Sequence, residues 1–445
     1  MKMVDILSAA KKGVEHGVSL GADQVEVYVV DQSQVRIDVR KSHVVGGDIL
    51  EVGGAGVRVY KDRSLGVAST TRLKELRGAV ERAYHLARGA PEDPYFKSLP
   101  EPSGYGSVEG LYDEELAALT FGELTERFVE GVEAASPEDG FTVSGGLTRN
   151  AGEVAVVNSL GVESLLRGTT ISGSIRSKIE REGDAAVGGE PIIGRSLGEF
   201  DPVKAGSKAA EKALARLGSQ KVMTGTMDVI LDFRSARNSI TGVLDVGVSG
   251  LNVALGTSFL SDKMGEAVAS PGLIVVDDPF TPGGMNSRPF DDEGAPSTRL
   301  EILEEGVLKS FCTDSYSAGR LGIPNTGNAT RRGLTSKPAP ALTNIHVTPG
   351  DWELDELISE TKKGVLVEDG GLRTRGTSTN ISSMVDNGYY IENGEVVHPV
   401  KNTMVGMTVF AFLANIDAIT KEVLKEGGSS SPALRITKVK VAGGL

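Results

Sequence analysis

The chain has 445 residues, and its 60 acidic side chains outnumber 47 Lys and Arg to leave a formal charge of −13. That length supports two or three domains with a substantial core, while the acidic balance opposes polyphosphate contacts, so nucleic acid is not expected as a direct ligand. A single cysteine, Cys312, excludes an internal disulfide and a thiolate metal cage and fits a reducing cytoplasm.

The amino-terminal run MKMVDILSAAKKGVEHG carries charge throughout and lacks the apolar core of a signal peptide. Val4, Ile6, Leu7, Ala10, Val14 and Val18 recur at helical spacing, so residues 4–21 read as an amphipathic helix ended by Gly21. Alternation of Val25, Tyr28, Val35, Ile37 and Val39 with polar residues then predicts one hairpin, and GVRVYKDRSLGVAST a second, turning at Asp62-Arg63-Ser64. Helical period returns over residues 72–88; His16 and His85 read as structural. The Pro-, Gly- and Ser-rich stretch 90–110 reads as a linker, with a domain boundary near 108.

A long helix over 112–136 follows, then hairpins with turns at Asn150-Ala151-Gly152 and Asn158-Ser159-Leu160-Gly161, then a helix over 202–217. This order echoes the first unit and suggests a duplication of topology. The third region starts with the strand MDVILDF and an apolar helix over Ser235–Leu255, and continues mostly as strands and glycine turns; 57 glycines support such an architecture. The run from Met404 to Ile416 is interrupted and shorter than the roughly 20 residues of a membrane span. The expected organisation is α+β: helix-and-antiparallel-sheet units over 1–108 and 109–222, then a strand-rich domain over 223–445.

Within that last domain the acidic loop Asp291-Asp292-Glu293 runs into Gly294 and Pro296, and a short helix around Tyr316 and Leu321 stops at Gly322. The loop from Asn325 to Arg332 combines glycine, small polar residues and two cations, which suits an anionic or peptide ligand. Elsewhere catalytic signals are weak. GVSGL lacks the spacing of a nucleophile elbow, and the glycine clusters near Gly53 and Gly370 lack a phosphate-loop Lys.

The run VVDDPFTPGGMNSRPFDDEGAPSTR, with SYSAGRLG and PNTGNATRR after it, resembles the carboxy-terminal domain of the TldD/TldE (PmbA) family. TSFLSDKMGEAVAS (257–270) and GYYIENGEVVHPVKNTMVGM (388–407) extend the likeness over most of residues 223–445, whereas the first 222 match in layout alone. In that family the resemblance implies a zinc metallopeptidase subunit with an H-E-x-x-x-H helix, paired with a second subunit that has lost the metal. The pair cleaves small unstructured polypeptides, including antibiotic-peptide precursors and an antitoxin, and an older name refers to modulation of DNA gyrase.

Here the motif positions fall on Val246, Gly247 and Leu251, and no histidine lies between His85 and His346, so no register restores it. The family's carboxy-terminal cysteine ligand is matched by Ser429, Ser430 and Ser431. The resemblance thus implies a TldE-like subunit with no catalytic or metal-binding residue and no cofactor of its own. Its partner would be a TldD-like metallopeptidase that supplies zinc, its substrates unstructured peptides, its location cytoplasmic; a homodimer is an alternative assembly, and no membrane partner is expected. Arg288, Asp291, Asp292, Glu293, Asn328, Arg331 and Arg332 are the expected substrate-binding residues. The 235–255 helix and the 404–416 run are each either a subunit interface or ordinary core. Two rivals remain: a self-sufficient hydrolase whose metal is held by Asp291, Asp292, Glu293 and His346 or His398, and a regulatory binding protein.

Overall fold

The computed structural model describes residues 5–443; Val4, on the expected first helix, lies outside them. The first helix is α1 (Ile6–Ser19), capped by the Asp5 carboxylate, which accepts from the Ser8 amide at 2.9 Å. Its Ile6, Ala10 and Val14 are buried on the sheet that follows.

That sheet differs from the expected pair of hairpins. It begins as a meander of three strands, β1 (Gln24–Arg40), β2 (His43–Lys61) and β3 (Ser64–Thr70). Gly46, Gly47, Gly53 and Gly54 sit within the β1–β2 ladder opposite Asp38, Ile37, Asp31 and Val30. The Asn150-Ala151-Gly152 turn is corrected in the same way. These residues lie inside β4 (Phe141–Asn158), opposite Gln34, Ser33 and Gln32 of β1 and Thr170, Thr169 and Gly168 of β5 (Glu163–Arg181). A residue paired with a strand on each side is held extended by both ladders and cannot turn the chain.

With β6 (Asp184–Gly194) the sheet order is β3-β2-β1-β4-β5-β6, antiparallel throughout. Odd-numbered β1 residues, Val25 to Val29 and Val35 to Val39, point to one face, and two helix pairs cover it at opposite ends. At one end are α1 and α2 (Leu76–Gly89). At the other are α4 (Phe121–Ala134) and α5 (Pro202–Ala215). The expected 112–136 helix is two: α3 (Glu114–Ala118) ends before Thr120, whose side chain and Glu123 form the capping box that starts α4.

The two units are built alike. A Cβ on Gly66 of β3 would lie 1.9 Å from the Ala83 carbonyl of α2, and one on Gly188 of β6 would lie 2.1 Å from the Ala209 carbonyl of α5. Each closing helix therefore lies directly on the outer strand of its half, which supports a duplicated topology.

The carboxy-terminal domain is organised around the strand Ser429–Gly443. It pairs with β7 (Gly225–Leu231), with Thr403–Thr408 and Ile416–Glu426, and in parallel with Ile345–Val347. α6 (Phe233–Gly247), capped by Asp232, packs on this strand with Ile240, Val243 and Leu244 in the core. The predicted Ser235–Leu255 helix breaks at Ser249, which bridges to Cys312, and resumes as α7 (Gly250–Ala254). Of the 404–416 run, Val409, Phe412, Leu413 and Ile416 are core, whereas Met404 and Phe410 are exposed. The short helix α8 (Ser315–Leu321) ends at Gly322 with φ of 71°, as read from the sequence. Among the described residues no helix is long and apolar enough to cross a membrane.

Candidate functional site

The even-numbered face of β1 meets the carboxy-terminal domain through charge. Glu26 and Arg58 are cross-strand partners on β1 and β2, both buried, and Arg58 donates to both Glu26 oxygens. From the other domain Glu293 accepts from Arg58 at 2.7 Å and from the Ser315 amide at 2.8 Å, while Arg331 donates to Glu26 and stacks on Tyr28 at 4.9 Å. Burial opposes ionisation of Glu26, but Arg331 and Arg58 outweigh it and hold its pKa below the usual carboxylate value. Two buried carboxylates and two buried guanidinium groups thus join parts of the chain more than 230 positions apart.

Around this square the predicted loop residues act on one another. Asp291 accepts from the amides of Glu293, Ala295 and Ala329, each at 2.9 Å; burial and the neighbouring Glu293 raise its pKa to about 8. Asp292 accepts from the Arg331 amide at 2.6 Å and lies 3.9 Å from Arg288, which donates to Thr330 at 3.2 Å. Asn328 donates to Asp277 and to the Ala341 carbonyl, both at 3.0 Å. The structure therefore brings six of the seven predicted residues into one polar layer. Asp291, Glu293 and Asn328 are sealed inside it, and Arg332 is the one exposed to solvent. Arg331 turns inward rather than toward solvent, because the buried Glu26 carboxylate and the Tyr28 ring offer it desolvated partners.

The histidines lie elsewhere. His346 is hydrogen-bonded to Ser430 and to Thr281, each at 2.9 Å, and burial lowers its pKa. His398 stacks on Tyr390 and bonds the Pro399 carbonyl at 3.0 Å. Neither meets Asp291, Asp292 or Glu293, whose lone pairs are taken by amides and guanidinium groups. Among the described residues no three His, Cys, Asp or Glu side chains are grouped to hold a metal ion. The Ser430–His346 pair has a threonine, not a carboxylate, on its second nitrogen, and burial outweighs the attraction of Asp278 for an imidazolium.

Of the motif positions Val246 opens onto a cleft of about 450 Å³, which Asp245, Thr343, Arg373 and Ser429 also line. Val246 thus shares this cleft with Ser429, the pairing expected of a histidine and a cysteine ligand in the resembling family. Neither donates to zinc as such ligands do. At Gly247 a Cβ would meet the ends of the Leu260 and Phe259 side chains at 2.8 and 2.9 Å, so a side chain at the position of the motif glutamate requires both to shift. Leu251 does not line this cleft. A zinc ion does not fit this donor set. One wall of the cleft belongs to a second ionic network: Glu426 takes Arg234 and Arg237, and Arg234 also bonds Glu190 of β6 and Asp369. Burial raises the pKa of Asp245, whose Oδ1 accepts from the Leu342 amide at 3.0 Å.

Sequence reasoning missed Glu26, Arg58 and the Arg234–Glu426 network. The only trace of Glu26 is a charge set within the apolar run VEVYVV.

A mixed α+β chain with this carboxy-terminal sheet and cleft has the architecture of a metallopeptidase family. Three family models match it in succession: PmbA/TldA metallopeptidase domain 1 over residues 25–87, the central domain over 114–217, and the C-terminal domain over 224–443. The chain belongs to the PmbA/TldD family. The metalloprotease PmbA of Escherichia coli O157:H7 is 25% identical across 100% of this chain and 99% of its own length. A metalloprotease of Methanocaldococcus jannaschii is 32% identical over 48% of each chain. The crystal structure of TldE from Thermococcus kodakarensis has the same fold, with a TM-score of 0.86 at 22% identity over 98% of this chain and 100% of that one.

Proposed function

We propose that this chain is the metal-site-free, TldE/PmbA-type subunit of a cytoplasmic peptidase that cleaves unstructured peptides. A TldD-like partner supplies zinc and the activated water, and this chain supplies part of the substrate cleft and a subunit face. The observation that carries the reading is the triad of motif positions: Val246, Gly247 and Leu251 offer no ligand and no base, while the surrounding family domain is retained. Water activation needs a metal or a base with a suitable pKa. In this reading Asp291, Glu293, Asn328 and Arg331 shape the cleft domain from within, and the exposed Arg332 and the partly exposed Arg288 and Asp292 are left to meet the peptide. An extended peptide adds main-chain hydrogen bonds at a sheet edge with little sequence choice, which suits unstructured substrates.

The test is purification from native lysate with elemental analysis. The expected result is a TldD-like metallopeptidase in stoichiometric association and no zinc in the separated chain. About one zinc per separated chain, lost in His346→Ala or His398→Ala, contradicts it.

A further inference from the structure

Leu251 lines a different cavity, of about 670 Å³, enclosed by β2, the 90–96 segment, α8 and Lys337. That size lies within the roughly 300–1,000 Å³ of small-ligand sites. Its apolar walls are Leu65, Leu251 and the stacked rings of Tyr60 and Phe96, 3.6 Å apart.

The most buried polar side chains on it are Arg58 and Asp314. Arg58 is already matched by Glu26 and Glu293. Asp314 is 2% exposed, and only its Oδ1 is used within the chain, by the Ser317 amide at 2.8 Å and the Ser317 hydroxyl at 2.5 Å. Among the described residues its Oδ2 accepts no hydrogen bond and forms no ion pair, although Arg58 lies near enough to favour its charge. A buried carboxylate oxygen left open on a cavity is costly unless a donor reaches it. Of the other acidic groups on the lining, Glu92 is paired with Arg63, and Asp93 accepts from the Tyr95 amide.

Two further cations share the lining with these acids. Arg320 lies over the Tyr95 ring at 4.1 Å, and Lys337 is exposed with no acidic partner among the described residues. The open Asp314 carboxylate, the aromatic and aliphatic walls, and the cations Arg320 and Lys337 match a ligand with an ammonium at one end, an apolar body and a carboxylate at the other. We propose that this cavity binds the free amino terminus of a short peptide, with the ammonium on Asp314, an apolar first side chain against Tyr60 and Phe96, and the carboxylate toward Arg320 and Lys337. The site is separate from the motif cleft and stands without the subunit reading.

Calorimetric titration of the full chain with Phe-Gly-Gly, its N-acetyl form and phenethylamine tests the site. The expected result is binding of the tripeptide with one site per chain, weakened at least tenfold by acetylation and by Asp314→Asn. Because Asp314 also caps α8, Leu251→Trp is the second variant: it narrows the cavity from α7, and should weaken binding at least tenfold with the melting temperature kept. Absence of binding to the native chain, equal affinity for the acetylated peptide, or undiminished binding by Leu251→Trp overturns the proposal. Phenethylamine binding as tightly as the tripeptide overturns the peptide assignment.

Discussion

Glu293 and Asp292 are neighbours with different work. Glu293 is fully buried and takes Arg58 and the Ser315 amide, whereas Asp292 is partly exposed and takes one amide and a distant Arg288. Removing one partner from a buried ionic group costs about 3–5 kcal/mol, so Glu293→Ala is expected near the lower end, Arg58 keeping Glu26. Asp292→Ala should cost about 1–2 kcal/mol, the loss of a charged hydrogen bond. Urea denaturation of both variants measures the difference, and equal midpoints would remove the distinction. Asp277 carries a pH dependence. Burial raises its pKa from 3.8 to about 6, against hydrogen bonds from Thr343 and Asn328. A raised folded pKa means that its contribution is present in full below the unfolded value and is lost as pH rises through about 6. Asp277→Asn should therefore flatten the fall in stability between pH 4 and 7 by up to about 3 kcal/mol, at 1.36 kcal/mol per unit. Denaturation at the two pH values reads this directly, and an unchanged slope contradicts it.

At the scale of elements, close approach of helix to strand holds each half of the sheet. A methyl on Gly66 or Gly188 drives into a carbonyl of α2 or α5. Gly66→Ala and Gly188→Ala should each lose about 1–3 kcal/mol through overpacking, and similar losses that add in the double variant are expected of two separate, equivalent contacts. A loss confined to one of them would break the equivalence of the halves. Helical periods made α1, α2 and α5 legible, since Ile6, Ala10 and Val14 mark a face without outside help. The strands were harder to read. Gly53 and Gly152 look like turns in sequence, and only pairing with Asp31 and Gln32 of β1 makes them strand interior. Likewise the break at Ser249 depends on Cys312, 63 positions away, and no local pattern records it. For the site, the acidic loop was visible because it is contiguous. Its true partners, Glu26 and Arg58, depend on strand register and on docking between domains.

Across the whole molecule, two ionic layers fasten the amino-terminal sheet to the carboxy-terminal domain: Glu26–Arg58–Glu293 with Arg331 at one place, and Lys212, Arg216 and Arg234 with Glu190, Asp369 and Glu426 at the other. The motif cleft lies beside the second layer, so its shape follows from how the domains are held rather than from a metal. On the proposed reading this scaffold keeps the cleft and the family architecture, and the partner chain supplies the water activation. The decisive measurement is peptidase activity on an unfolded peptide with this chain alone, a TldD-like partner alone, and both together, each with and without a metal chelator. The account predicts turnover only with the pair and its loss on chelation. Chelator-sensitive turnover by this chain alone, after every trace of partner is removed, would contradict it.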